Sequence, residues 1–318
     1  MVSASSLLLP SAVRDLASCV SDGAVRVACT TPASTLTSAA AAPSTLSVTT
    51  TYRAHTSPPL LLRLAWSSSP HGGAPALSFA GPAASSPAVL LRRRKGSRAL
   101  PSSSSTSSSS SSTTSSSSAQ HPPLALFWDL TAARYAPASP EPVSGFYVVA
   151  VANAEVVLAV GDLAPDFVKA KFEGQIPKAR FSPVSRADRV VAQPGAAAAR
   201  ARVRFADGAP EHEVAVGCSS PPGGAGGEEE ELWVSVDGKR AVHARRLRWN
   251  FRGNQTVFVD GAPVDVLWDL HGWWFRDPPG RAVVMLRART ALESRLWLDD
   301  EAAAPGFALV VQAFRAPP

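Results

Sequence analysis

Polar and apolar residues alternate with a period of two over most of the region from residue 124 to residue 315. In "ARARVRFA" (199–206), an arginine at every second position alternates with Ala, Val or Phe. Alternation of this kind places the arginines on one face of a β-strand and the apolar side chains on the other. The pattern therefore predicts half-buried antiparallel strands.

Turn residues separate these strands at short intervals. Asp-Gly pairs at Asp237–Gly238 and Asp260–Gly261 each lie between two alternating runs, and Asn153–Ala154 lies between "FYVVAV" and "EVVLAVG". Asp and Gly tolerate the positive φ that a two-residue hairpin turn requires. We therefore expect consecutive β-hairpins, including one from "ARARVRFA" through "DGAP" into "EHEVAVGC".

Helical periodicity is confined to two stretches. In "GDLAPDFVKAKF", Asp162 is a candidate cap for a short helix, and "ARTALESRLWL" is the second stretch. Many short strands with so few helices predict an all-β fold, an antiparallel β-sandwich or partly closed barrel. We expect about ten to thirteen strands and one or two short helices.

The first 120 residues differ in composition from the rest. Residues 102–118 are all Ser or Thr, and the region before them is rich in Ala, Ser, Pro and Thr. Such segments bury too little apolar surface to offset the entropy of ordering the chain. Composition alone therefore predicts that the first 120 residues are disordered. The N-terminal segment is also poor in acidic residues, which is typical of a plastid transit peptide.

The positive charge of the chain is unevenly distributed. The formal net charge is +6, but residues 1–120 hold nine basic and two acidic residues, whereas the remainder holds 22 basic and 23 acidic. The near-neutral remainder argues against nucleic acid as a partner. The basic side chains form candidate sites for an anionic membrane or phosphate ligand: Arg92, Arg93, Arg94, Lys95, Arg98, Arg245, Arg246 and Arg248.

The cysteines and histidines give no sign of a disulfide framework, a metal or a cofactor. Three cysteines without paired spacing are typical of a reducing compartment, so we expect an intracellular protein, cytoplasmic or nuclear. His212, His243 and His271 lie in different predicted hairpins and lack the spacing of metal ligands. The sequence holds no run of eighteen apolar residues, so it predicts no transmembrane segment.

Several long blocks resemble one family. The blocks "FWDLTAARYAPASPEPVSGFYVVAV", "ELWVSVDGKRAVHARRLRWNFRGNQTVFVDGAPVDVLWDLHGWWF" and "VVMLR" follow one another in the order of a plant-restricted family known only as domain of unknown function 868. "SCVSDGAVRVA" (18–28) resembles the usual beginning of its members. The chain departs from the family at "HGWWF", where "HDWLF" is more typical.

The resemblance changes the expected domain boundaries. It implies a flexible arm at 1–43 and a single β domain at 44–318, with a Ser-rich loop at 101–120 and a Gly/Glu-rich loop at 219–230. It also weakens the interpretation of the N-terminus as a transit peptide. The family has no established activity or catalytic residues, so it implies no reaction.

The stretch "FVDGAPVDVLWDLHGWWF" (258–275) holds the best candidates for chemistry. Asp269 and His271 would share a face of a strand, so that the carboxylate orients the imidazole as in a general-base pair. Trp273 and Trp274 are candidates for an exposed stacking surface. The structural alternative is a hydrogen-bonded histidine at a strand end, beside aromatic residues that close a β core.

No converging set of catalytic side chains emerges from the sequence. We therefore expect a non-enzymatic binding or scaffold module with an unknown ligand, and with a protein or an anionic membrane surface as its candidate partners. Two alternatives stay open. One is a peripheral binder of anionic ligands through the basic clusters, and the other is a hydrolase that uses Asp269 and His271.

Overall fold

The computed structural model describes most of the β region. The described residues are 44–69, 74–81, 88–101, 122–137, 139–192, 199–219, 230–275, 280–289 and 306–315. The predicted N-terminal arm and nearly all of the Ser-rich and Gly/Glu-rich loops lie outside these residues. The same holds for most of the stretch "ARTALESRLWL".

A nine-stranded sheet, the large sheet, forms one layer of the fold. Its neighbours are antiparallel except at one place, where β11 and β19 run parallel. Its strands lie in the order β16 (Arg252–Val259), β17 (Ala262–Asp269), β18 (Ala282–Ala288), β19 (Ala308–Arg315), β11 (Phe181–Ala192), β1 (Ser44–Ala54), β2 (Leu60–Ser67), β3 (Ala76–Ala80) and β4 (Val89–Leu91).

Two four-stranded sheets form the second layer. The first small sheet has the order β10 (Glu155–Val160), β9 (Tyr147–Ala152), β6 (Leu124–Asp129) and β5 (Lys95–Leu100). The second small sheet has the order β12 (Ala199–Val203), β13 (His212–Ser219), β14 (Glu231–Val236) and β15 (Lys239–Ala244). The remaining elements are the strand pair β7 (Arg134–Tyr135) and β8 (Pro142–Ser144), and the helices α1 (Ala164–Phe172) and α2 (His271–Phe275).

Both small sheets pack on the same face of the large sheet. One core lies between β1–β4 and the first small sheet, and a second lies between β16–β19 and the second small sheet. Val48 of the first core is opposite Asp188, which is in turn opposite Val311 of the second core, so all three share a face. The described strands form open sheets, with no closed barrel. The predicted all-β antiparallel sandwich is confirmed.

The predicted hairpins are present, but the predicted number of strands is too low. β9–β10, β12–β13, β14–β15 and β16–β17 are antiparallel pairs joined at the expected turns. The described residues form nineteen strands instead of ten to thirteen. Strands of two or three residues, such as β4, β7 and β8, are too short to show an alternating pattern.

The helix in "GDLAPDFVKAKF" is confirmed, but the predicted cap is wrong. Leu163 occupies the N-cap position of α1 and makes no side-chain cap hydrogen bond. The Asp162 carboxylate instead accepts hydrogen bonds from the backbone N–H groups of Gly145 (2.9 Å) and Phe146 (3.1 Å). Asp162 therefore anchors the loop before β9 and does not begin the helix.

One local motif is built twice, at β5–β6 and at β16–β17. In both copies a basic residue and a glycine on one strand pair with an Asp and a Trp on the next. The first copy is Lys95-Gly96 with Trp128-Asp129, and the second is Arg252-Gly253 with Trp268-Asp269. We call this the paired Gly–Trp motif.

The two copies share their hydrogen bonds atom by atom. The Trp indole N–H donates to a backbone carbonyl two residues before the basic residue, Arg93 in the first copy and Asn250 in the second, at 2.8 and 2.9 Å. The basic side chain pairs with the Asp carboxylate at 2.8 Å (Lys95) and 3.1 Å (Arg252). Five residues thus have the same roles in both halves, which indicates an internal structural repeat.

The strand order extends this repeat to eight strands in each half, with no counterpart for β7, β8 or β11 among the described strands. The meander β1–β4 followed by β5, β6, β9 and β10 corresponds to the meander β12–β15 followed by β16–β19. Each half begins with a four-stranded meander. In the first half this meander, β1–β4, belongs to the large sheet, and in the second half its equivalent, β12–β15, is the second small sheet. The halves are therefore related by an approximate twofold axis that lies between the two layers and exchanges them.

We expect Gly253→Ala to destabilise the protein. An added Cβ would lie 2.2 Å from Trp268 Cζ2, and the indole N–H bond to Asn250 prevents the ring from moving away. Overpacking of this kind costs about 1–3 kcal/mol. The free energy of unfolding in urea measures the loss. Asn254→Ala, an exposed neighbour on the same strand, should change it by less than about 0.5 kcal/mol, and equal effects would contradict the prediction.

Candidate functional site

A groove of about 1110 Å³ lies between the two small sheets, above the middle of the large sheet. Five consecutive residues, 200–204, line one side, and four consecutive residues, 159–162, line the other. Side chains of a strand alternate between its faces, so a run of consecutive lining residues means that the edge of the strand faces the groove. The groove is therefore bordered on one side by the edge of β12, and on the other by the last two residues of β10 and the turn that follows them. We call it the central groove.

A buried ionic cluster lies in the floor of the central groove. Arg186 Nη1 donates to Glu141 Oε2 at 2.7 Å, and its Nε lies 3.0 Å from Asp188 Oδ1. The Arg186 and Asp188 side chains are only 13% and 4% exposed. Burial raises the pKa of the Asp188 carboxyl to about 6, against the opposing attraction of Arg186. The cluster lies where β1 and β11 join the two cores.

Aromatic and hydroxyl groups complete the floor beside this cluster. Tyr52 packs edge-on against Phe181, with ring centroids 6.3 Å apart, and Thr50 lies next to it on the inner face of β1. Burial raises the pKa of Tyr52 to about 12, and the charge of Glu141 adds to this shift. Tyr52 is therefore neutral at physiological pH and offers a hydroxyl rather than a charge.

The strand arginines found in the sequence lie on the rim of the central groove. Arg200 pairs with Glu213 at 2.6 Å, and Arg204 lies 4.0 Å from Glu211. Arg202 is exposed, and no acidic partner for it lies among the described residues. Glu213 is directly opposite Arg202 in register, but its carboxylate binds Arg200 instead. Arg202 is therefore the rim arginine without an ion pair among the described residues, although the groove lining as a whole balances four arginines with four carboxylates.

Asp269 and His271 line a separate depression of about 490 Å³ at the end of β17. Asp269 Oδ1 accepts the backbone N–H of His271 at 2.9 Å, and its Oδ2 pairs with Arg252. In the other half, Asp129 accepts the backbone N–H of Thr131 in the same way, at 3.0 Å. The Asp269 contact therefore belongs to the repeated corner of the fold, and a Thr occupies the position of His271 in the other copy.

Trp273 and Trp274 lie in α2 and are half-buried against the second core. The guanidinium of Arg248 lies over the Trp274 ring, 5.6 Å from its centroid. Trp249 is much more exposed, at 80%, followed by Phe258 at 74%. Periodicity did not identify Trp249 as the exposed tryptophan because it lies in a connection and not in a strand.

The basic residues found in the sequence are all exposed but lie in two separate places. Arg92, Arg93, Arg94, Lys95 and Arg98 lie in the β4–β5 connection and on β5, and Arg245, Arg246 and Arg248 lie in the β15–β16 connection. These connections are at opposite outer edges of the sandwich, because β4 and β16 are the two edge strands of the large sheet. Lys95 and Arg245 also pair with Asp129 and Glu231.

His212, which sequence reasoning considered only as a metal ligand, joins the two Asp-Gly turns. Its Nδ1 lies 2.7 Å from Asp237 Oδ2, and its Nε2 lies 3.0 Å from Asp260 Oδ2. The ring is buried, with 8% of its side chain exposed. The hydrogen bond to Asp237 is the largest cause that raises the pKa of His212, and Asp260 adds to it. A protonated ring donates to both carboxylates.

The described residues show neither a metal-binding cluster nor a membrane-spanning helix. No group of three or more His, Cys, Asp or Glu side chains there is arranged to hold a metal ion. No helix in this part of the chain is both long and apolar enough to cross a membrane.

Comparison with known proteins gives a family but no activity. The family model described as "Plant protein of unknown function (DUF868)" matches residues 44–314. The chain belongs to this family. The comparisons with curated proteins and with solved structures found no match.

In this DUF868 protein we expect Arg186→Met to lower the free energy of unfolding by about 3 kcal/mol. The substitution leaves the buried Asp188 carboxylate without its cation. The double variant Arg186→Met/Asp188→Leu replaces the buried pair by apolar groups and should recover most of the loss. Urea unfolding of both variants measures the effect, and a double variant that is less stable than Arg186→Met would contradict it.

We expect His212→Gln to remove a pH-dependent part of the stability. The folded-state pKa of His212 is raised, so its contribution is fully present below about pH 6.5, the unfolded value, and is lost as pH rises through the folded value. The variant should therefore be less stable than the wild type at pH 6, with a difference that shrinks by pH 9. Thermal unfolding at several pH values tests this. The exposed His55→Gln is the control, and a pH-independent difference would argue against the assignment.

Proposed function

We propose that the protein is a non-enzymatic binding module whose ligand site is the central groove. The observation that carries the proposal is the open edge of β12, which faces the end of β10 across a floor with a fixed ionic cluster. Open edges supply unpaired backbone donors and acceptors. The floor is held in place by Arg186, so the site is formed before any ligand arrives.

The hydrolase alternative has less support. The Asp269 carboxylate is engaged by a backbone N–H and by Arg252, and the same bonds recur around Asp129 without a histidine. The described residues that line the depression at His271 include no Ser, Thr or Cys as a nucleophile. The structural role of Asp269 thus accounts for its contacts without a reaction.

An anionic membrane or phosphate ligand at the basic clusters also has less support. The two clusters lie at opposite outer edges of the sandwich, so they form two separate patches and not one continuous basic surface. Two of their side chains are already paired with carboxylates. Sedimentation with phosphatidylserine vesicles at two salt concentrations examines this alternative, and salt-sensitive binding that is lost on reversing the charges of Arg92–Arg94 would favour it.

The groove proposal is tested by a thermal-shift screen of a chemically mixed library of metabolites, sugars, lipids and random peptides. Val143 lines the groove and is 65% exposed, so Val143→Trp fills part of it with little risk to folding. Leu61→Trp, on the outer face of the large sheet and 45% exposed, is the matched control. Stabilising compounds should lose their effect on Val143→Trp and keep it on Leu61→Trp.

Two results would overturn the proposal. One is a set of stabilising compounds that act equally on both variants. The other is turnover of chromogenic esters, glycosides or phosphates by the wild type that is lost in His271→Ala.

A further inference from the structure

We propose that the central groove binds one extended peptide strand of a partner protein, with an acidic side chain of that peptide beside Arg202. This inference rests on the proposed function and names the class of ligand. Three observations carry this inference. They are the twofold relation of the two halves, the open strand backbone of β12 and of the end of β10, and the charge of Arg202, which has no ion pair among the described residues.

The internal repeat shows what the groove lacks. In the large sheet, β11 lies between the two meanders, antiparallel to β1 and parallel to β19. The twofold relation that exchanges the layers makes β12 the equivalent of β1 and β10 the equivalent of β19. The place equivalent to β11 is the central groove, which Pro142 and Val143 of β8 also line but where no described strand pairs with β12. In the part of the chain that the structure describes, the second layer is therefore short of one strand at this position.

The backbone of β12 and of the end of β10 is available for pairing. Among the described residues β12 pairs only with β13, whereas the start of β10 is already bonded on its other edge, through Val156, to Pro177 and Ala179. Ala159 and Val160 at the other end of β10 line the groove. By the same symmetry, the added strand would run antiparallel to β12 and parallel to β10. Addition of a strand to a free sheet edge is a common mode of peptide recognition.

The size of the groove also favours a peptide. Its volume of about 1110 Å³ exceeds the range of about 300–1000 Å³ that is usual for small-molecule pockets. β12 has five residues, enough to span about 17 Å of an extended partner. The groove is thus long enough for a short strand rather than a single compact ligand.

Arg202 gives the expected side-chain pattern of the peptide. Side chains that are directly opposite each other on paired strands lie on the same face of the sheet. A residue opposite Arg202 would therefore point outwards with it, and a carboxylate there would supply the missing partner. The residues before and after it would point down to Tyr52, Thr50 and Phe181. The expected ligand alternates acidic residues with small or apolar ones.

Charged residues on an open edge also protect against aggregation. This role needs a charge of either sign, whereas recognition of an acidic peptide needs a positive one. Arg202→Glu keeps a charge at this position but makes it negative. The variant should therefore still protect the edge against aggregation but should no longer recognise an acidic peptide.

The test uses fluorescence polarisation with the full-length chain. The probe is a labelled nine-residue peptide in which Glu alternates with Val or Thr, and it is compared with two relatives. One carries Lys in place of each Glu, and the other keeps Glu but has N-methylated central residues. Arg63→Glu, an exposed strand arginine on the outer face of the large sheet, is the matched control variant. Far-UV circular dichroism and thermal unfolding check that both variants fold.

We expect the Glu peptide to bind the wild type and Arg63→Glu equally, and Arg202→Glu about tenfold or more weakly. The Lys peptide should bind Arg202→Glu more tightly than it binds the wild type. The N-methylated peptide should not bind, because it lacks the backbone N–H donors that pair with a strand edge.

Four results would overturn the inference. They are equal binding by Arg202→Glu and Arg63→Glu, undiminished binding of the N-methylated peptide, no binding of any of these peptides, and a wild-type dimer that Arg202→Glu dissociates. The last result would identify a second copy of the chain as the occupant. If compounds from the mixed library still lose their effect on Val143→Trp, the groove remains a ligand site and only its assignment to an acidic strand fails.

Discussion

The pairing of β11 with β1 on one side and with β19 on the other is the interaction on which the rest of the structure depends. Ten residue pairs join β11 to β1, and eight join it to β19. Without this strand the large sheet would separate into two meanders, each with its own small sheet and its own core. Backbone hydrogen bonds on both edges of β11 therefore join two sandwiches into one molecule.

The same interaction explains the buried charges. The inner face of the β1–β11 seam lies between the two cores, where neither small sheet covers it fully. Arg186 occupies this position with both Asp188 and Glu141 as ion-pair partners, and the buried Asp188 Oδ1 accepts no hydrogen bond from the described residues. A buried ionic cluster is a weak source of stability, because desolvation offsets most of the attraction. Its effect is to fix the groove floor in one arrangement, which suits a preformed binding site.

The internal repeat also separates structural features from chemical ones. Asp269 and His271 resemble a catalytic pair when only the second half is considered. Comparison with Asp129 and Thr131 in the first half shows that the Asp forms a corner that both halves need. What differs between the two layers is the strand at their centre: β11 in one and an open groove in the other. The asymmetry within a repeated fold, and not the density of polar residues, is the basis on which we propose a ligand site.

Local sequence determined the hairpins β9–β10 and β12–β17, their turns and the helix α1, whereas β1–β5 lie where composition alone predicts disorder. Alternation of side chains and the φ preferences of Asp and Gly act over a few residues, so a single chain displays them directly. The repeat leaves a trace in the sequence as "FWDL" and "LWDL", but only the strand pairing shows that each Trp faces a Gly. Only the tertiary structure decided that Arg202 lies beside a groove, that Arg186 and Asp188 meet Glu141, and that His212 joins two turns. These contacts join residues 25 to 48 positions apart. They depend on how the sheets pack together, and the alternation of side chains within one strand does not predict that packing.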